Sequence, residues 1–189
     1  MTTTGLFSPT DVYRRMSNPG TWPVTTGDFE AIDSVSTGTA GNIASIEFTD
    51  IPQDYYALLV TFIDSGNGTY ATYPAITWSG LAVSAFNWAF IYAEYNGTPG
   101  GSQGVAGSNT FYANSLEPSA GYLYIPNYTS TTEPKQMWHQ GGAGKRQRNF
   151  GVLATQTSTL PITSLKIDMG VTRYWSSWSQ VTLYGVGRC

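Results

Sequence analysis

The sequence of 189 residues is short of cysteine, histidine and charge, and each scarcity excludes a class of chemistry. The single cysteine, Cys189, cannot form an intrachain disulfide, so packing and hydrogen bonds must hold the fold. We interpret it as an idle terminal thiol. The single histidine, His139, excludes metal sites built from two or three histidines. We interpret His139 as an ordinary strand residue beside Trp138, and we expect no metal, no cofactor and no catalytic residue.

Charge is scarce and unevenly placed along the chain. Charged residues make up 11% of the sequence, against an average of about 25%. No Lys or Arg occurs between Met16 and Pro134, whereas four of the nine basic residues lie between Lys135 and Arg148. The net charge of −3 is too small to favour a nucleic-acid partner. A polar but uncharged surface is typical of proteins that face other proteins or sugars.

Long apolar segments are also missing. No apolar run approaches the ~18 residues that would predict a membrane-spanning helix. The first residues, 1–5, lack the basic region followed by an apolar stretch that marks a secretory signal. We therefore expect a protein that is made in a cytoplasm and is not inserted into a membrane.

The chain is rich in residues that favour strands and tight turns. Aromatic residues reach 14% and glycines number 21, and apolar residues alternate with polar ones at period two. The pattern predicts an all-β protein, an antiparallel two-sheet sandwich with a jelly-roll topology. We predict strands over residues 32–35, 43–48, 56–63, 73–78, 85–95, 121–128, 135–140, 149–155, 164–169 and 179–186.

Two segments read as loops. Residues 96–110 are rich in Gly, Ser and Pro and predict a surface loop. Residues 141–148 combine glycines with the basic side chains of Lys145, Arg146 and Arg148, which predicts a flexible basic loop. DNA, an acidic polysaccharide or an acidic partner subunit would each suit that charge, and so would a simply solvated loop. Among the partners, we favour docking to an acidic partner subunit.

The first thirty residues differ in character from the rest. Ser8 and Pro9 suit a helix N-cap and first helical position, and a helix of two turns cannot be stable alone. We therefore interpret residues 1–30 as a docking arm with a short helix, and residues 31–189 as the sandwich domain. The arm residues that we expect to contact a virion neighbour are Leu6, Phe7, Val12, Tyr13, Arg14, Arg15, Met16 and Trp22.

Five short patches occur in a fixed order along the sandwich domain. They are Ser45-Ile46-Glu47-Phe48, Ile51-Pro52-Gln53, Tyr124-Ile125-Pro126-Asn127-Tyr128-Thr129, Leu160-Pro161-Ile162-Thr163-Ser164-Leu165 and Thr182-Leu183-Tyr184-Gly185-Val186. The ordered set resembles the all-β module that recurs in bacteriophage virion proteins, notably tail-fibre and head-surface proteins. Family members often carry the module at the end of a long fibre. Here it follows only a short arm, which favours a short tail fibre, an adaptor or a head decoration protein.

The resemblance implies a function. It implies a non-enzymatic structural component of a tailed-phage virion, made in the host bacterial cytoplasm and bound to capsid, tail or fibre subunits, with a homotrimer expected. The alternative is a carbohydrate-binding module that recognises a host surface glycan. A glycan-cleaving enzyme is a third interpretation, since depolymerising fibres exist and paired carboxylates would be needed. Its candidate residues are Asp64, Glu94, Glu117 and Asp168.

The aromatic residues form two groups with different expected roles. Tyr174, Trp175 and Trp178 form a dense patch that suits either stacking on sugar rings and contact with a subunit, or filling of the core. Phe86, Trp88, Phe90 and Tyr92 alternate along one predicted strand, so we assign all four to the core of the sandwich; they belong to residues 85–95.

Overall fold

The structure is a computed structural model of the chain. It describes residues 29–64, 71–72, 74–94, 99–105, 113–114, 118–143, 147–170 and 174–188. The docking arm, apart from its last two residues, lies outside the described residues, and so do Lys145, Arg146, Glu117 and Cys189.

The described residues fold into strands joined by short connections. Alternating apolar residues, many of them β-branched or aromatic, place these segments in strands rather than helices. A single 3-10 turn occurs among the described residues, at Val83–Ala85. The strands are β1 Glu30–Ser36, β2 Ser45–Phe48, β3 Tyr55–Asp64, β4 Ala71–Thr72, β5 Ala75–Trp78, β6 Phe86–Glu94, β7 Pro99–Val105, β8 Ala113–Asn114, β9 Ser119–Pro126, β10 Gln136–Ala143, β11 Gln147–Thr155, β12 Leu165–Asp168 and β13 Gln180–Arg188.

The strands form two main antiparallel sheets. The large sheet has the order β1-β13-β3-β9-β10-β11-β6-β7, and the small sheet has the order β2-β12-β5. The first strand pairs with the last, the second with the second last, and β3 with β9. This nested pairing is that of a jelly roll. The hairpins β10–β11 and β6–β7 add four strands to the large sheet beyond β9. The predicted all-β sandwich is confirmed.

The core lies between the two sheets. Alternate residues of each strand point inward, and the inward residues of both sheets belong to one buried cluster. Trp78 of the small sheet meets Phe86 of the large sheet edge to face, with ring centroids 4.6 Å apart. The assignment of the β6 aromatics to the core is confirmed for Phe86 and Phe90, which are buried, whereas Trp88 and Tyr92 are half-buried.

The prediction of a loop over residues 96–110 is wrong for residues 99–105. These residues form β7, which pairs with β6 along its whole length. A Cβ added to Gly104 would lie 2.7 Å from the Trp88 ring, and one added to Gly100 would lie 2.3 Å from the Tyr92 ring. The glycines therefore make room for aromatic rings of the neighbouring strand, and their number does not indicate a loop.

The predicted basic loop is also shorter than expected. β10 extends to Ala143 and β11 begins at Gln147, so residues 141–143 and 147–148 belong to a regular hairpin. In this hairpin, Gly141 lies opposite Asn149 and Gly142 lies opposite Arg148. Arg148 is therefore a strand residue, opposite Gly142 and Ala93.

Three of the five recognisable patches meet at one corner of the sandwich. The Tyr128 hydroxyl donates a hydrogen bond to the Pro52 carbonyl. The Gln53 amide donates to the carbonyls of Ile51 at 2.8 Å and Ile162 at 2.9 Å, and the Ile162 N–H donates to the Tyr128 carbonyl at 2.9 Å. Each patch thus satisfies backbone groups of another. These three patches therefore have a structural role at this corner.

Candidate functional site

The side of the large sheet that faces away from the small sheet is the candidate functional site, and we call it the outer face. It runs across β3, β9, β10, β11 and β6, whose registers align outward residues into rows. One row contains Thr61, Tyr122, Gln140, Phe150 and Ile91, and the next contains Leu59, Tyr124, Trp138, Val152 and Ala89. Ile63 and Ala120 begin a third row.

The outer face is apolar although solvent covers it. Exposed fractions are 66% for Ile91, 58% for Ile63, 48% for Phe150, 43% for Trp138 and 38% for Tyr122. Antiparallel sheets with one solvated face normally carry polar residues there. A contiguous apolar patch of this kind marks a binding surface. None of the side chains in the first two rows is charged, whereas the third row continues through Gly142 to the position of Arg148.

Aromatic and amide groups occupy the centre of the outer face. The rings of Tyr124 and Trp138 are stacked, with centroids 5.8 Å apart and planes inclined by 27°. The Tyr122 hydroxyl donates a hydrogen bond to Gln140 Oε1 at 3.0 Å. This bond holds a hydrogen-bonding pair beside the aromatic stack. The centre therefore offers both apolar ring surface and polar groups to a ligand.

Two shallow depressions flank this centre. Small residues such as Ala120 and Gly142 lie in the first, between Ile63 and Gln140, and its volume is about 600 Å³. Residues of β6, β7 and β11 line the second, of about 520 Å³; they include Ala89, Ile91, Gly101, Gln103 and Phe150. Both volumes fall in the range of small-molecule sites.

The patch at residues 174–178 divides between core and surface. Trp175 is fully buried, and its ring meets the Phe62 ring edge to face with centroids 6.4 Å apart. Its predicted role as a glycan or subunit contact is therefore wrong. It fills the core, as the competing interpretation expects. Trp178 is 66% exposed and Tyr174 is 44% exposed, so both remain available for contact.

Trp178 is displayed by a tight turn in which its own backbone has φ +63°. The buried Asp64 carboxylate supports this turn from below. Its Oδ1 accepts hydrogen bonds from the Ser176 N–H at 3.1 Å and from the Ser179 hydroxyl at 2.6 Å. Asp64 is therefore a structural acceptor for the turn, and the structure gives it no place in a carboxylate pair open to substrate.

The other candidate carboxylates do not assemble into a described catalytic site. Asp168 is partly exposed, and its Oδ2 lies 3.1 Å from Lys166 Nζ, while its Oδ1 accepts from the Gly170 N–H at 2.8 Å. Glu94 lies in β6, and Glu117 lies outside the described residues. Among the described residues, no group of three or more His, Cys, Asp or Glu side chains suits a metal ion.

His139 is buried in the large sheet. A Cβ on Gly151 would lie 2.5 Å from His139 Nε2, and the Phe90 ring meets the imidazole edge to face at 6.4 Å. Neither ring nitrogen has a hydrogen-bond partner among the described residues. Desolvation lowers the pKa of His139 to about 4, so the imidazole is neutral at pH 7. It is out of reach of a substrate at the surface.

The sequence also contains a Gly-x-Ser-x-Gly pattern, at residues 100–104. In hydrolases this pattern places a nucleophilic serine on a sharp turn between a strand and a helix. Here the pattern lies inside β7, and Ser102 is opposite Phe90 in a regular ladder. The strained turn that would expose a nucleophile is missing at these residues, so the pattern is structural.

The basic cluster is represented by few described groups. Lys145 and Arg146 lie outside the described residues, and Arg148 is described as a position in β11. Lys135, the first of the four basic residues, is buried, and its Nζ donates to the carbonyls of Glu133 at 3.0 Å and Thr159 at 3.2 Å. Desolvation lowers the pKa of Lys135, and Glu133 opposes that shift. Lys135 is therefore a structural cation that no partner can reach.

The outer face is the site that the sequence reasoning missed. A signal for it exists in β3, where Leu59 and Ile63 are apolar although the period-two pattern already places Leu58, Val60 and Phe62 in the core. A strand with both faces apolar predicts a second contact surface.

Comparison with known proteins adds little. No protein-family model matches the chain, and no curated protein sequence matches it. Among solved structures, the chain is similar to a double mutant of alginate lyase Aly36B in complex with alginate tetrasaccharide, with a TM-score of 0.25 and 10% identity over 82% of this chain and 78% of the other. This likeness is too distant to carry an argument about function. In the part of the chain that the structure describes, no helix has the length and apolarity needed to cross a bilayer.

Proposed function

We propose that this protein is a non-enzymatic structural component of a tailed-phage virion, a sandwich domain fastened to the particle through residues 1–30. Its partners are capsid, tail or fibre subunits, and it assembles as a homotrimer. The proposal rests on the five ordered patches of the sequence, which the fold accommodates in a jelly roll. It also rests on the character of the surface, which suits association rather than chemistry.

The outer face is the observation that carries the proposal. Exposed apolar groups such as Ile91, Ile63 and Phe150 contribute about 25 cal/mol per Å2 when a partner covers them; all three are exposed here. By contrast, His139 is buried and Asp64 is engaged in a turn. An exposed apolar surface, together with titratable groups that are buried or engaged in the fold, favours a binding role over a catalytic one.

Particle composition tests the proposal directly. We expect mass spectrometry of purified phage particles to detect the chain in a fixed copy number. Deletion of residues 1–24 should leave a folded domain that no longer joins particles, while reversal of the charges at residues 145, 146 and 148 should weaken its incorporation without unfolding it. Particles that contain no copies of the chain would refute the proposal.

A carbohydrate-binding module on the virion surface is the second candidate. It is favoured by exposed aromatic side chains, since sugar rings stack on flat aromatics and the indole N–H bonds to hydroxyls. Tyr174 and Trp178 are exposed in this way. Retained cell binding by the protein without residues 1–24 would support this candidate.

A further inference from the structure

We infer that β7 joins two copies of this chain edge to edge, by antiparallel pairing about a two-fold axis at Ser102. The large sheet then continues from one copy into the other. A two-fold contact cannot close a trimer, so within the proposed homotrimeric assembly it would connect one trimer to another. The inference goes beyond the proposed virion role and does not depend on it.

β7 is the unprotected edge of the large sheet. No described strand pairs with its second side, and an edge strand presents unpaired N–H and C=O groups to which another strand can add. Its pairing with β6 is regular from Pro99 to Val105, without a bulge. None of its seven residues is charged. The one proline is the first residue of the strand, so the later residues keep their N–H groups.

The other edges of the two main sheets have features that oppose strand addition, such as charge, bulges and short length. β1, at the opposite edge of the large sheet, contains Glu30 and Asp33, and its register shifts between Ala31 and Asp33. β2 and β5, the edges of the small sheet, have four residues each. β7 therefore offers a second copy the least opposition, because two β7 strands bring no like charges together.

The groups around β7 are arranged symmetrically about Ser102. Ser102 lies opposite Phe90, and the glycines two positions to either side, Gly100 and Gly104, lie opposite Tyr92 and Trp88. A Cβ on Gly100 would lie 2.5 Å from the Tyr92 hydroxyl oxygen, and one on Gly104 would lie 2.7 Å from Trp88 Nε1. Each ring therefore reaches over its glycine toward the edge of the sheet. Both rings are half-buried in the single chain.

A two-fold axis at Ser102 turns this arrangement into two matched contacts. It places Gly100 of one copy opposite Gly104 of the other, with paired Cα atoms about 4.5 to 5.5 Å apart. The Tyr92 phenol above the first glycine then meets the Trp88 indole above the second, and the indole N–H can donate to the phenol oxygen. The same contact repeats across the axis. A different strand would need its own glycine and indole at these positions, so the geometry selects a second copy.

The other side of β7 fits the same register. The axis places Gln103 of one copy opposite Gly101 of the other. A Cβ on Gly101 would meet no heavy atom nearer than 3.4 Å, so the longer Gln103 side chain has room beside it. Gly101 and Ile91 line the second depression. The Gln103 side chain of the second copy therefore extends toward this depression and covers part of Ile91, which is 66% exposed in the single chain.

Cysteine cross-linking tests the inference. Cys189→Ser removes the native thiol, and Ser102→Cys then places one thiol on the axis. Paired Cα atoms of an antiparallel ladder lie within the range that a disulfide spans, so oxidation of the dilute protein should link most chains into dimers. Ser36→Cys in the same background is the matched control, since Ser36 is also an exposed serine of an edge strand. It should stay unlinked, and equal linking of the two variants would overturn the inference.

Sedimentation of the full chain measures the same contact without a new thiol. We expect the wild-type mass to be an even multiple of the chain mass. Gln103→Lys puts two cations near the axis and should halve that mass, whereas Ser36→Lys, the control on β1, should leave it unchanged. Tyr92→Phe should weaken the association by about 10- to 30-fold, because two symmetry-related hydrogen bonds are lost. Circular dichroism spectra like that of the wild type establish that each variant is folded.

The outcomes separate this contact from the proposed virion role. A monomer at every concentration overturns the inference, and so does a trimer whose mass Gln103→Lys leaves unchanged, although that trimer remains compatible with the virion role. An unchanged dissociation constant for Tyr92→Phe overturns the pairing about Ser102. Phage particles without the chain would refute the proposed function, whereas the doubling of the mass and its loss in Gln103→Lys would still support the contact.

Discussion

Acid should destabilise this protein through one side chain, His139. The imidazole is fully buried, and burial lowers its pKa from 6.5 to about 4. In the unfolded chain the same group takes up a proton near pH 6.5. Between pH 6.5 and pH 4, the imidazole binds a proton in the unfolded state but not in the folded state. The free energy of unfolding therefore falls as the pH falls from about 6.5 to about 4, and the loss is complete below the lower value.

The size of the effect follows from the shift. A difference of one pKa unit corresponds to about 1.4 kcal/mol, so the full shift corresponds to about 3 kcal/mol. At pH 4.5, most of the unfolded chains are protonated at this position and most of the folded ones are not. The loss between pH 7 and pH 4.5 is then about 2 to 2.5 kcal/mol. For a domain of marginal stability this is a large fraction of the total.

His139→Leu is the perturbation that isolates this term. Leucine has a similar volume, and neither ring nitrogen of His139 has a described partner to lose. The variant should therefore be within about 1.5 kcal/mol of the wild type at pH 7. At pH 4.5 it should be more stable relative to the wild type by a further ~2 kcal/mol.

Chemical denaturation at pH 7, 6, 5 and 4.5 measures both proteins under the same conditions. Titration of the carboxylates affects both chains alike and cancels in the difference between them. A wild type and a variant whose stabilities run parallel over this range would refute the reasoning. Such a result would mean that the imidazole is hydrated, or has a polar partner, in the folded protein.

Three further substitutions, the first with a matched control, test packing and hydrogen bonds. Gly104→Ala should destabilise the protein by about 1 to 3 kcal/mol, because the added Cβ would lie 2.7 Å from the Trp88 ring. Gly101→Ala in the same strand is the control. Its Cβ would meet no heavy atom nearer than 3.4 Å, so it should cost less than about 0.5 kcal/mol. Tyr128→Phe should cost about 1 to 2 kcal/mol in urea denaturation, because it removes the hydroxyl that donates to the Pro52 carbonyl and accepts from the Tyr55 N–H. Asp64→Ala should cost about 1 to 3 kcal/mol, because it removes an acceptor of the buried Ser176 N–H, whereas the Ser179 hydroxyl keeps the Ser176 carbonyl at 2.8 Å. An unchanged denaturation midpoint would contradict the corresponding contact.

The strands were predictable because apolar and polar residues that alternate at period two indicate a β-strand and not a helix. The pattern from Tyr56 to Ile63 predicts a strand, and β3 occupies Tyr55–Asp64. The nested jelly-roll pairing was expected from the number and spacing of strands, but the register of each pair depends on contacts between residues far apart in sequence. The segment 99–105 was missed because the reason for its glycines lies in β6, where Trp88 and Tyr92 cover them. No local signal distinguishes such a strand from a loop.

The candidate site was less predictable than the fold. The sequence left both Trp175 and Trp178 open to a contact surface or to the core, and burial separates them completely. Three positions along the chain suffice to turn one indole into the core and the other into solvent, because the turn between them reverses the backbone. The outer face was missed because its members come from five strands. Only the sheet order brings Tyr124, Trp138 and Phe150 into neighbouring positions.

The residues that hold the fold and the residues that form the outer face are different residues of this chain. The patches that resemble phage virion modules supply the corner around Tyr128 and Gln53, where a substitution breaks hydrogen bonds that the fold needs. Trp138, Gln140 and Phe150 lie outside those patches, and their side chains are exposed. A protein could exchange these three without unfolding. A fold held by one set of residues and a surface formed by another allow one scaffold to present different surfaces.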